Sequence, residues 1–166
     1  MTKHNQATVF AEPGKQEILI TREFDAPREL VFKVCMDPKL IPEWWGPRYL
    51  STEVDKMNVK PGGQWRFINR DAEGNTYAFH GVYHEISAPE RVIDTFEFEG
   101  LPEAGHVTLE TLKLEELSGG RTRLTVQSVF QSVADRDATL QSGMESGLND
   151  TYNRLEELLE KIKITQ

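Results

Sequence analysis

SVADRDATLQSGMESGLNDTYNRLEELLEKIK, residues 132–163, is the stretch on which the fold turns. Ser132 with Asp135 three residues on is a helix-start signal, the hydroxyl being placed to accept from a backbone N–H of the first turn. Leu140, Met144, Leu148, Tyr152, Leu155, Leu159 and Ile162 follow at steps of three or four, which is one apolar stripe of an amphipathic helix. Counted from Ala134 to Lys163, that helix would be about 45 Å long at ~1.5 Å per residue. A helix of that length must lie across a sheet, or bend. Gly143 and Gly147 each disfavour helix by about 1 kcal/mol against alanine and predict a kink in the N-terminal half. They also leave that half without bulk, whereas Leu155, Leu158, Leu159 and Ile162 crowd the other end. On a curved sheet such a helix packs closely at its C-terminal end and stands off at its glycine-bearing end.

The sheet is written upstream. From 48 to 131 the pattern has period two, with strands predicted over 49–59, 63–70, 76–86, 91–98, 106–117 and 121–131. The links VKPGGQ, DAEGN, SAPER, EGLPEAG and LSGGR are turn sequences, short enough to join antiparallel neighbours. In HVTLETLKLEEL, Val107 and Leu109 keep one parity and Leu112 and Leu114 the other, which predicts a β-bulge near Thr111. QEILITREF (16–24) adds a first strand, and the class is α+β. Residues 1–15 are polar and read as a flexible arm or an added edge segment; 16–166 reads as a single domain.

Between the first two strands, Pro27 opens a helix with Leu30, Val31, Val34 and Cys35 on one stripe. Asp37-Pro38 is a second start signal, Pro42 interrupts what it begins, and Gly46-Pro47 ends it. The tip of this piece is EWWGP (43–47). Successive helical residues point about 100° apart, so Trp44 and Trp45 cannot share one environment.

Acidic residues outnumber basic ones 27 to 19, for a formal net charge of -8. That balance repels phosphate backbones and anionic lipid heads, and argues against nucleic-acid and membrane partners. No stretch approaches the ~20 apolar residues of a membrane span. The opening MTKHNQATVFAEPGKQ has no apolar signal core, and the one cysteine, Cys35, has no internal partner; both predict a cytoplasmic protein.

The strand aromatics supply a wall opposite the helix. Trp65 and Phe67 share a parity, as do Tyr77, Phe79 and Tyr83, and again Phe96 and Phe98. Gly81, in the parity of Phe79 and Tyr83, leaves a gap or marks a bend. With Met144, Leu148 and Tyr152 from the helix, these side chains predict either an ordinary core or an apolar pocket with few polar tips.

The ordered set FDAPRELVF (24–32), EWWGP (43–47), KPGGQWRF (60–67), GVYHEISAPERV (81–92), TFEFEG (95–100), VFQSVADRD (129–137) and SGMESGLNDTYNRLEELL (142–159) resembles the START-like, Bet v 1-like (SRPBCC) helix-grip superfamily. Within it, the chain is similar to the bacterial proteins named for the activator of heat-shock-protein ATPase. The resemblance implies a seven-stranded antiparallel sheet wrapped on the C-terminal helix, two short helices between the first two strands, and a hydrophobic cavity between sheet and helix. It also implies that one tryptophan of the pair packs under the first helix and the other approaches the cavity. Superfamily members bind lipids, hormones or polyketide-like compounds, and a minority are cyclases or aromatases.

Motifs for chemistry are few. His80 and His84 on one strand lie about 13 Å apart, too far to share an ion, and His106 stands in a turn. No metal or cofactor is expected. GMESG (143–147) lacks the spacing of a nucleophile elbow, and Gly62-Gly63 lacks the lysine of a phosphate loop. Asp94 shares the parity of Phe96 and Phe98, and Glu85 that of Phe79 and Tyr83. Either carboxyl would titrate high if it faced an apolar cavity. The preferred reading for both is a salt bridge near a strand end, to Arg91. Glu97 and Glu99 alternate to the solvent side.

Three functions follow. The leading one is binding of a small hydrophobic or amphipathic ligand by Trp44, Trp45, Trp65, Phe67, Tyr77, Phe79, Tyr83, Asp94, Phe96, Phe98, Met144, Leu148 and Tyr152, with no catalytic residue assigned. The second is a polyketide-cyclase-like or hydrolase enzyme using Asp94, Glu85, Tyr83 or a histidine around the same cavity. The third is a chaperone-associated interaction module. A homodimer is compatible with all three.

Overall fold

The computed structural model describes residues 5–165; residues 1–4 of the N-terminal stretch and Gln166 lie outside the described residues. Eight strands form one antiparallel sheet: β1 (Thr8–Phe10), β2 (Glu17–Phe24), β3 (Ser51–Met57), β4 (Gln64–Arg70), β5 (Thr76–Ser87), β6 (Arg91–Phe98), β7 (Thr108–Leu117) and β8 (Arg121–Val129). Their spatial order is β1-β2-β8-β7-β6-β5-β4-β3. β3 to β8 are thus a meander joined by short turns, and β2 closes against the far side of β8. The helices are α1 (Arg28–Cys35), α2 (Ile41–Trp44), α3 (Val133–Gln141) and α4 (Met144–Thr165). The α+β helix-grip expectation is met, with one strand more than the seven anticipated.

The added strand comes from the stretch read as an arm or an edge segment. Thr8, Val9 and Phe10 pair with Thr21, Ile20 and Leu19, and Ala7 is buried with its N–H donated to the Asn149 side chain of α4. Arg136 of α3, buried, donates to the Glu12 and Glu17 carbonyls and holds the β1–β2 link from the other side.

The C-terminal stretch is two helices rather than one long one. Ser132 caps α3 by accepting from the Asp135 N–H. The break falls at Gly143, whose φ of +81° is a left-handed conformation that glycine adopts without strain. The predicted kink is therefore a full break.

Along α4, Leu155, Leu158 and Leu159 are buried. Each such leucine stabilises by roughly 1.5–3 kcal/mol. Tyr152 meets Phe24 of β2 edge-on at 5.9 Å, and Glu156 pairs with the buried Arg22 guanidinium at 2.6 Å. At the other end, nothing comes within 4 Å of the position a Cβ on Gly147 would take. The helix does stand off the sheet at its glycine-bearing end.

Two registers differ from expectation. β7 is regular through Thr111, pairing residue for residue with β6 and β8, so the bulge expected there is absent. Its inner face is Thr108, Glu110, Leu112 and Leu114, while Leu109 is exposed on the outer face. A polar inner face next to an apolar outer residue imitates a change of parity. The irregularities fall instead between Val54 and Lys56 in β3 and between Tyr83 and Glu85 in β5.

Candidate functional site: an aromatic cavity with a buried carboxyl pair

The space under the free end of α4 is a cavity of about 430 Å³. Its position follows from the turn that carries the tryptophan pair. Trp44 is the last residue of α2 and faces inward, buried. Trp45 leaves the helix with extended backbone, φ -73° and ψ 123°, and swings towards the sheet. Gly46 follows at φ +92°, close enough to Asn69 that an added Cβ would lie 3.2 Å from that side chain. Thr52 donates to the Trp45 carbonyl at 2.5 Å and lies 2.8 Å from the Asn69 amide oxygen. Arg154 of α4 donates to the Gly46 carbonyl at 2.7 Å and ties this corner to the helix.

Both tryptophans therefore reach the cavity, where one was expected to pack under the first helix. Trp45 stands edge-on to Phe67 at 5.0 Å, to Phe79 at 5.3 Å and to Trp65 at 6.5 Å. Phe96 joins the cluster at 6.0 Å from Trp65 and 5.4 Å from Phe79. Tyr83 and Asp94 complete the sheet wall, and Met144, Leu148 and Tyr152 the helix wall. Gly81 leaves the room that the indole occupies: a Cβ on it would fall 2.5 Å from Trp65 Nε1 and 1.8 Å from the Thr95 carbonyl oxygen.

Tyr77 and Phe98 lie further out. They line an adjoining cleft of about 940 Å³ that reaches the surface at Tyr49, Tyr77 and Leu101, and shares Asn69, Phe79, Phe96 and Met144 with the cavity. The 99–107 segment forms one bank of this cleft. It is tied to α3 by His106, whose Nδ1 lies 3.0 Å from Asp135 Oδ2. The hydrogen bond to that carboxylate holds the imidazole above its ordinary pKa.

The polar groups in the cavity separate the two candidate carboxyls. Glu85, beyond the β5 irregularity, pairs with Ile93 of the outer face and bonds Arg91 at 2.7 Å, as preferred from sequence. Asp94 does not reach Arg91. Its register partners are Tyr83 on β5 and Glu110 on β7, and both it and Glu110 line the cavity. Burial first, and the facing Glu110 charge second, push Asp94 up to about 8. Burial likewise pushes Glu110 upward, moderated by the Ser128 hydroxyl that donates to it at 3.0 Å.

The Trp65 indole N–H lies near enough to Asp94 to moderate its rise, but makes no hydrogen bond of proper geometry. Trp44 Nε1 is likewise buried without a partner. Cys35, also in the wall, is a buried thiol pushed up to about 12 by burial.

Glu110 was not found from sequence, because the misplaced bulge hid the parity it shares with Leu112. On the outer face, His80 bonds Glu97 and Glu99, the latter held down at about 2, chiefly by Arg66; His84 is exposed. Among the described residues no group of three or more His, Cys, Asp or Glu side chains is placed to hold a metal ion. No helix among them is long and apolar enough to cross a membrane.

Comparison with known proteins agrees with this architecture. A protein of Rhodobacter sphaeroides is 25% identical and superposes with a TM-score of 0.84, over 94% of this chain and 99% of that one. A Staphylococcus epidermidis protein is 26% identical, with a TM-score of 0.80 over 93% and 94% of the two chains. DynU16, from the dynemicin biosynthetic locus, shares the fold at 18% identity and a TM-score of 0.67, over 88% of this chain and 48% of its own. Direct sequence comparison with curated proteins finds no match. The model of the family described as activator of Hsp90 ATPase homolog 1-like protein matches residues 25–160. The chain belongs to that family, within the START-like helix-grip superfamily.

Proposed function

We propose that the protein binds a small hydrophobic or amphipathic molecule in the cavity under the N-terminal half of α4, without transforming it. The observation that carries this reading is the cavity of about 430 Å³ walled by tryptophan and phenylalanine, where a packed core would leave no such space. Each 100 Å² of apolar guest surface removed from water there stabilises the complex by roughly 2.5 kcal/mol, less the loss of guest freedom. The outer cleft, sharing walls with the cavity, serves as the way in. The lone buried thiol of Cys35 is in keeping with a cytoplasmic protein.

Trp44, Trp45 and Trp65 are internal reporters. Titration with naphthalene-sized apolar compounds is expected to change their emission saturably, and Gly147→Leu, which fills the space under α4, is expected to abolish the response. Absence of any saturable change with the wild-type protein would refute the reading.

The Asp94–Glu110 pair favours a second reading, a cyclase-like enzyme in which one carboxyl donates and the other accepts a proton. It predicts that a bound polyketide-like compound changes its covalent structure. Mass analysis of the compound recovered after incubation distinguishes the two.

A further inference from the structure

We infer that the guest of this cavity is an organic base, a ring-bearing amine whose ammonium group seats against Asp94 and Glu110. The inference rests on the binding function proposed above and names the class of ligand.

The charge inventory of the wall carries it. Asp94 and Glu110 are adjacent on neighbouring strands and line the cavity, yet no lysine, arginine or histidine lines it among the described residues. The other groups that face the pair are Tyr83 from β5, Ser128 from β8, Trp65 from β4, Cys35 from α1 and Tyr152 from α4. The two phenols and the thiol are held in their neutral forms by burial. Arg22 of β2, the buried cation of this layer, lies outside the wall, and its guanidinium is engaged by Glu156 at 2.6 Å and Asn153 at 2.9 Å. The acid pair therefore has no countercharge of its own.

A second observation concerns the indoles that line the same space. Trp44 and Trp65 are both more than nine-tenths buried, and each leaves its indole N–H without a partner. Both rings line the cavity, and the Trp65 N–H is directed at the Asp94 side. Buried donors of this kind are normally satisfied, so a guest that brings hydrogen-bonding groups completes what the chain leaves open.

An amine meets the first of these conditions, and an acceptor oxygen elsewhere on the same molecule meets the second. An ammonium gives the two carboxyls charge-assisted hydrogen bonds, and the aromatic faces around it attract a cation further. A hydroxyl or ether oxygen on the same molecule would accept from an indole N–H. A carboxylate or phosphate would add negative charge beside two acids that have no countercharge in the wall. Fatty acids and acidic lipids are excluded on that ground. Entry of an ammonium also favours the ionised form of the pair, so binding near neutral pH releases protons.

Three compounds with one body test this: 1-naphthylmethylamine, 1-naphthalenemethanol and 1-naphthoic acid, titrated calorimetrically at pH 7.5 in two buffers of different ionisation enthalpy. The expected result is an amine at least tenfold tighter than the alcohol, no binding of the acid, and a heat that differs between buffers as proton release requires. In Asp94→Asn/Glu110→Gln the amine preference should vanish while the alcohol still binds. If that variant does not fold, Asp94→Asn alone should lower the preference at least threefold. Equal affinity for amine and alcohol, or tighter binding of the acid, overturns the inference and leaves the cavity function standing. If none of the three binds, both fall.

Discussion

Asp94 and Glu110 stand opposite one another across the β6–β7 ladder, and both line the same cavity. Directly opposed residues of antiparallel strands hold their Cβ atoms about 4.5–5.5 Å apart. Ionising both at that separation, away from water, is unfavourable, and the pair retains a proton where isolated carboxyls have lost theirs.

The first prediction concerns stability against pH. Asp94 binds its proton more tightly in the folded chain, at about 8, than in the unfolded chain, where a carboxyl titrates near 4. Folding is therefore favoured below that lower range and progressively disfavoured as pH rises through it to about 8. Asp94→Asn removes the penalty. At pH 8.5 the variant should be more stable than wild type by on the order of 5 kcal/mol, with the gap closing towards pH 4. Urea unfolding midpoints across this range measure it.

Two glycines should respond oppositely to alanine. At Gly81 the new methyl would overlap the Thr95 carbonyl and the Trp65 ring, and a loss of about 3 kcal/mol or more is expected. At Gly147 the methyl enters open space on a helix, and a gain of up to ~1 kcal/mol follows from helix propensity alone. Thermal melts of the two variants should move in opposite directions from wild type.

Arg22 and Glu156 form a buried ion pair between β2 and α4. Arg22→Met leaves a carboxylate enclosed without its guanidinium, a change that typically destabilises by about 3–5 kcal/mol. Replacing both residues, as Arg22→Met/Glu156→Leu, should recover a large part of that loss. Comparing the double variant with each single variant by chemical unfolding checks the coupling.

The tie between His106 and Asp135 should be pH-sensitive. The imidazole gains a partner on folding, so its contribution is complete below the unfolded pKa and disappears as pH rises through the raised folded value. His106→Ala should speed amide exchange over 99–106. The excess over wild type should be clear at pH 6 and small at pH 9, after correction for intrinsic exchange rates.

How far the sequence foretold this structure depends on which signal each part left. The strand limits, the Ser132 cap and the tryptophan corner rest on local chemistry, alternation with glycine, proline and a capping hydroxyl, and were legible. The stand-off of α4 was legible too, because Gly147 sits where bulk would have closed it. Asp94 had the right parity but was assigned to Arg91, since sequence does not say which strand end a guanidinium reaches. Glu85 was carried outward by a bulge that no residue between Tyr83 and Glu85 announces. Glu110 was invisible because β7 turns polar residues inward where it lines the cavity and leaves Leu109 on the outside. Alternation finds faces by hydrophobicity, and it fails where a buried face is built for polar contact.

Cys35 puts the chain's one thiol into the wall of the hollow. Its burial and protonated state mean that an alkylating reagent added to the intact protein labels it slowly, through excursions that admit the reagent. The pace of labelling thus clocks the breathing of the chamber, and a bound guest should slow that clock without any engineered tag.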